Sequence, residues 1–101
     1  MKRFVLLAVV VIAAAGCLGR PADSASGEDI YLQLCSNCHG AEMEGGLGPA
    51  LGFGSNAMGQ PDEFLRVSIL QGRGRMPSFA SSLSEEQVDL LIGFIREGQG
   101  L

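Results

Sequence analysis

With 101 residues, 47% hydrophobic and 15 of them glycine, the chain has material for one small domain and not for two. The formal net charge of −4 at pH 7 excludes the basic face that nucleic acid rewards, so no nucleic-acid partner is expected.

Lys2 and Arg3 form a short positive region ahead of an unbroken apolar run over 4–15. The run is short of the ~20 residues a spanning helix needs, and it ends in small residues. This is the pattern of a secretory signal with a cleavage site. Ala14-Ala15-Gly16-Cys17 resembles a bacterial lipoprotein signal, whose cysteine is lipidated and becomes the new N-terminus. Ala14 departs from the Leu usual in that family, and the alternatives are an ordinary signal peptide or an uncleaved anchor with Cys17 incidental. The expected organisation is a lipoprotein-type signal over 1–16, then a lipidated Cys17 and flexible tether over 17–26, and a single domain over 27–101. The protein is then exported and lipid-anchored to a membrane on the periplasmic or extracytoplasmic side. Cleavage before Cys17 removes Lys2 and Arg3 and leaves eleven acidic against five basic residues, a charge near −6.

Ser26 is a candidate N-cap, with Glu28 and Asp29 in the first turn where the helix dipole favours acid. Ile30 with Leu34, and Tyr31 with Cys35, recur at helical spacing, so a first helix is expected to end near Cys38, with Gly40 as its stop. The stretch 40–59 is too rich in glycine to hold any period and is expected to be a long loop. Loops of that length are uncommon unless functional. Pro61 at a first helical position, followed by Asp62 and Glu63, opens a second helix that Gly72 closes. A second loop follows, through Arg73-Gly74-Arg75-Met76-Pro77. Ser84 with Gln87 forms a capping box for a third helix, on which Val88, Leu91, Ile92 and Ile95 share a face and after which Gly98 is the stop. No strand or repeat is expected; the fold class is all-α, with three main helices and two long loops.

The chemistry sits in Cys35-Ser36-Asn37-Cys38-His39, which has the form C-x-x-C-H, the attachment sequence for c-type haem. Cysteines three apart on a helical turn share a face. Both thiols can therefore add across the two vinyl groups of one haem, and the following histidine is carried to the iron. A structural zinc site needs four protein ligands, and the domain has no further Cys or His beyond these three. A thioredoxin-like site needs a βαβ setting that is missing. His39 is the only histidine, so the opposite ligand must be something else, and Met is the alternative in cytochromes c. Met43 is too near His39 in sequence to cross to the other face and reads as core filler. Met58 is geometrically possible, with core filler the preferred reading. Met76 lies in an extended loop stiffened by Pro77.

These motifs give the chain a clear relative. Cys35-Ser-Asn-Cys38-His39-Gly40, Gly48-Pro49-Ala-Leu51, Gly72-Arg-Gly-Arg-Met76-Pro77 and Leu91-Ile92-Gly-Phe94-Ile95 together resemble the small class I c-type cytochromes over nearly all of residues 27–97. The resemblance implies the cytochrome c fold wrapped around one covalently bound haem c. It implies thioethers at Cys35 and Cys38, and His39 and Met76 as axial iron ligands. It also implies that the Pro49 carbonyl accepts a hydrogen bond from the His39 ring, and that Gly27, Tyr31 and Phe94 meet where the first and last helices cross. Phe94 is often Tyr in that family.

With both axial positions filled, no small-molecule substrate is expected at the iron. The function expected is an electron carrier rather than an enzyme: a membrane-anchored monohaem cytochrome passing single electrons between membrane or periplasmic redox proteins that serve as donor and acceptor. The alternative is a haem-bearing subunit of a larger dehydrogenase or reductase. Arg73 or Arg75 is expected to pair with a haem propionate or to belong to a docking surface, against the alternative of a solvated loop charge.

Overall fold

The computed structural model describes residues 19–101, so the expected signal over 1–16 and Cys17 lie outside the described residues. Helix α1 spans Gly27–Leu34, α2 Ser36–His39, α3 Asp62–Gln71 and α4 Glu85–Gly98, with one turn of 3-10 helix over Asn56–Gly59. Among the described residues there is no strand, only an isolated bridge between Arg73 and Met76. The all-α expectation holds, with two refinements.

The first helix is two. Cys35 has φ −114° and closes α1, and its carbonyl then accepts from the His39 N–H at 3.0 Å to start α2. The Ser36 hydroxyl donates back to the Leu32 carbonyl at 2.6 Å, a competing bond of the kind that bends helices. The second refinement is the 3-10 turn inside the glycine-rich loop. Ser55 caps it by accepting from the Met58 N–H, a local bond that periodicity does not register.

Both long helices start as the capping chemistry requires. Ser26 accepts from the Asp29 N–H and Ser84 from the Gln87 N–H, each with the reciprocal side-chain bond of a capping box. Pro61 sits one position earlier than expected, as the N-cap of α3.

The core is the seam between α1 and α4, with α3 closing one side. Ile30, Tyr31, Val88 and Leu91 are fully buried, and Leu65, Ile69, Leu83, Ile92 and Ile95 pack around them. Each such side chain contributes roughly 1.5–3 kcal/mol of transfer free energy. The helices cross at Gly27, where a Cβ would collide with the Leu90 carbonyl and come within 2.9 Å of the Phe94 Cβ. The Tyr31 and Phe94 rings meet there with centroids 5.5 Å apart, so the helix contact expected from the resemblance is present.

Residues 20–26 correct the expectation of a flexible tether. Pro21 is buried, the Arg20 Nε donates to the Ser81 carbonyl at 3.2 Å, and the Gln87 amide donates to the Ala22 carbonyl at 3.2 Å. Ala25 donates to the Ala22 carbonyl at 2.9 Å and packs against the core. The segment is a strap fastened to the start of α4. Its small, polar composition looks like a linker because the partners that hold it lie some 60 residues away in sequence.

Candidate cofactor site

The site begins at the α1–α2 break. Cys35 is buried and Cys38 exposed, and both are free thiols. Burial pushes the Cys35 thiol up to about 12, with Cys38 adding to the rise, so Cys35 is a neutral thiol at pH 7. His39 ends α2 and is buried.

The loop after α2 folds back on the helix end through its own backbone. The His39 carbonyl accepts from the Gly45 N–H at 2.7 Å, and the Cys38 carbonyl from the Gly48 N–H at 2.8 Å. Gly40 makes the turn with φ +86°, where a side chain would run into the Glu44 carboxylate. The Tyr31 hydroxyl donates to the Gly40 carbonyl at 2.6 Å and ties the turn to the core. These bonds deliver Pro49 to the histidine, whose Nδ1 lies 2.7 Å from the Pro49 carbonyl. A carbonyl can only accept, so Nδ1 carries the proton and Nε2 holds the free lone pair. The Gly48 backbone closes on the same ring; a Cβ there would stand 2.9 Å from His39 Cε1 and 3.1 Å from Nδ1.

The three methionines of the described residues have different surroundings. Met43 is buried in the core against Gly98, in a left-handed conformation with φ 63°, and its carbonyl accepts from the Leu51 N–H at 3.0 Å. The Met58 sulfur accepts from the Gly54 N–H at 3.3 Å and serves its own loop. Met76 is half-buried at the edge of the core, and no hydrogen bond engages its sulfur. Its backbone is fixed by paired bonds with Arg73, at 2.9 and 3.0 Å. Gly72 turns the chain into that loop with φ +77°, and a Cβ there would strike the Met76 carbonyl at 2.6 Å. On the far side of Met76, the Phe79 N–H donates to the Ile69 carbonyl at 2.9 Å and returns the loop to α3.

Arg73 lies 4.8 Å from the Phe64 ring centroid, a cation–π contact on α3, and Arg73 and Arg75 are both exposed. Sequence reasoning missed two residues that hold the site's frame. Arg96 donates to Asp62 at 2.9 Å, to the Ala57 carbonyl at 3.2 Å, to Gln99 at 2.8 Å and to the Gln60 carbonyl. Gln99 is fully buried and donates to the Leu51 carbonyl at 2.8 Å. Both lie in or just after the last turn of α4, where a cation suits the helix dipole. That was the only signal the sequence carried for Arg96, and it points to the helix rather than to the loop.

The donor set fits a covalently attached haem. It provides two free thiols one turn apart, a histidine with one nitrogen tied and the other free, and a thioether on a fixed loop. Among the described residues, no cluster of His, Cys, Asp or Glu offers a competing metal site.

Comparison with known proteins agrees. Residues 22–95 match the family model described as "Cytochrome C oxidase, cbb3-type, subunit III". Over 72 residues the chain is 40% identical to cytochrome c55X of Pseudomonas aeruginosa, covering 69% of this chain and 60% of that protein. The match therefore spans less than two thirds of that relative's length. The chain is 28% identical over 91 residues to the cytochrome c subunit of 4-cresol dehydrogenase [hydroxylating] from Pseudomonas putida, covering 86% of this chain and 75% of that one. Among solved structures, the c-type cytochrome NirC superposes with a TM-score of 0.62 at 38% identity, over 72% of this chain and 87% of that one.

Proposed function

The chain belongs to the class I c-type cytochromes, carries haem c and transfers electrons, and we propose that it does so as a membrane-anchored carrier with His39 and Met76 as the two axial ligands. Haem c supplies a one-electron couple at its iron. Cys35, at the α1–α2 break, and Cys38, on α2, would hold the ring as thioethers. The observation that carries the ligand reading is the His39 ring. It is buried, and its Nδ1–H donates to the Pro49 carbonyl at 2.7 Å, so Nε2 is the nitrogen whose lone pair is free for iron and the ring is held in place. Of the three described methionines, Met43 fills the core and Met58 receives a backbone N–H. Met76 is left as the soft ligand, on a loop pinned at both ends.

A thioether favours ferrous iron, so replacing Met76 lowers the potential. Redox titration of Met76→His is expected to show a fall of tens to hundreds of millivolts, inside the ~0.8 V that axial ligands span. The same substitution at Met58 is expected to leave the potential close to wild type. A potential that follows Met58 and ignores Met76 overturns the assignment.

Membrane anchoring rests on the resemblance of residues 14–17 to a lipoprotein signal. Among the described residues no helix is long and apolar enough to cross a membrane. The Cys17→Ser protein is expected to leave the membrane fraction, and intact mass of the wild type should carry the lipid. A second reading, an electron-transfer subunit of a dehydrogenase, draws on the likeness to the 4-cresol dehydrogenase cytochrome subunit, which covers most of both chains. A stoichiometric partner co-purifying from native membranes separates the two.

A further inference from the structure

The strap over residues 20–25 changes what an anchor at Cys17 would do. A flexible tether of nine residues has an r.m.s. reach of roughly 17 Å and lets a domain tumble. Here the chain is fastened from Arg20 onward. Arg20 bonds to Ser81, Pro21 is buried, and Ala22 is held by Gln87. Only Leu18 and Gly19 separate Cys17 from that point. Three residue steps span at most about 11 Å.

We propose that the strap makes the end of the molecule around Arg20 and the turn at residues 80–84 a membrane-facing surface, held against lipid headgroups in one orientation. The proposal rests on the lipidation of Cys17 stated above. Exposed groups at this end include Ala80, Ser81 and Ser84, with Arg20 as a cation and Asp23, in the same groove, and Glu85 as anions, a mixed-charge surface suited to zwitterionic headgroups. They are compatible with a headgroup layer and offer nothing for insertion into acyl chains. The loop that carries Met76 runs directly into this turn, so the anchored protein keeps that loop on a fixed side relative to the bilayer rather than presenting every face in turn.

Gln87 permits a selective break. Its Oε1 accepts from the Ser84 N–H at 3.0 Å in the capping box, while its amide nitrogen donates to Ala22. Gln87→Glu keeps the acceptor and removes the donor. Combined with Arg20→Ala, it removes both side-chain bonds that fasten the strap and leaves the cap. A second variant, with eight Gly/Ser residues inserted between Leu18 and Gly19, leaves every strap contact in place and lengthens only the segment outside it.

The test is polarised absorption of the haem in the full-length lipidated holoprotein, on oriented bilayers of phosphatidylethanolamine. Wild type is expected to give a definite dichroic ratio. Both variants are expected to fall to the isotropic value while staying membrane-bound with an unchanged solution spectrum. An isotropic wild type, or variants that keep the wild-type ratio, overturns the proposal. Intact mass separates this from the underlying reading. If Cys17 carries no lipid, the anchor and the orientation both fall; if the lipid is present and the haem is isotropic, the orientation alone falls.

Discussion

Two contacts fix the His39 ring: the Pro49 carbonyl accepts from its Nδ1–H, and the Gly48 backbone closes on the ring beside Cε1. Gly48→Ala places a methyl 2.9 Å from Cε1, closer than real Cβ contacts come, so either the ring turns or the loop lifts away from the helix end. Overpacking of this kind costs roughly 1–3 kcal/mol. We expect a loss of stability in that range in denaturant titration, together with a shifted midpoint potential, because the ring's orientation and its bond to Pro49 set its basicity. Tyr31 gives a second residue-level expectation. Burial is the chief cause of a rise in its pKa from 10.0 to about 12. The raised value means that the folded state holds the phenol proton after the unfolded chain has released it. Tyr31 therefore stabilises fully below pH 10, and its contribution is lost as pH rises from 10 toward 12, at roughly 1 kcal/mol per pH unit. Tyr31→Phe should be less stable than wild type at pH 7, having lost the bond to Gly40, and should show a flatter alkaline limb when unfolding is measured at steps between those values.

At the scale of elements, the parts legible in the sequence were those governed by neighbours along the chain. The N-cap at Ser26, the capping box at Ser84, the apolar spacing of Val88, Leu91, Ile92 and Ile95, and the stop at Gly72 all follow from local chemistry, and α1, α3 and α4 begin within a residue of where those signals put them, while the stop at Gly40 closes α2 because the first helix breaks at Cys35. The cofactor motif was legible for the same reason, since its three functional residues fall within five consecutive positions. What sequence could not carry was decided by distant partners. The strap looked like a linker because Ser81 and Gln87, which hold it, are remote in sequence. Arg96 looked like a helix-end cation, yet its guanidinium gathers Asp62, Ala57, Gln60 and Gln99 and pins the 3-10 turn and the start of α3 to the end of α4. An ammonium cannot reproduce that planar fork. Arg96→Lys keeps the charge and is expected to cost about 1–3 kcal/mol in thermal or denaturant unfolding through carbonyls left unpaired. A neutral effect would mean that the loop over residues 40–60 is held by Gln99 and the core alone.

At the scale of the whole molecule, charge decides how partners approach. Residues 19–101 hold eleven acidic and five basic side chains, so the domain is strongly anionic whether or not a signal is removed. A partner that presents a basic patch is therefore steered toward it, and such steering raises encounter rates by roughly 10- to 1,000-fold at low salt. Two of the five arginines, Arg73 and Arg75, sit on the loop that carries Met76, so the local field at that loop opposes the field of the molecule. Both are exposed, and Arg73 also lies over the Phe64 ring. The two fields make separable predictions for electron exchange with small inert metal complexes, one cationic and one anionic, followed by stopped flow. The cationic reagent should react faster at low salt and slow by about tenfold as screening shortens the Debye length from roughly 30 to 8 Å. The anionic reagent should show the opposite salt dependence if it responds to the whole molecule, and a weak one if exchange takes place beside the Met76 loop. Arg75→Gln then distinguishes these cases: it should slow the anionic reagent markedly only if exchange occurs at that loop. Equal rates for both reagents at every ionic strength would remove the argument that charge selects the partner.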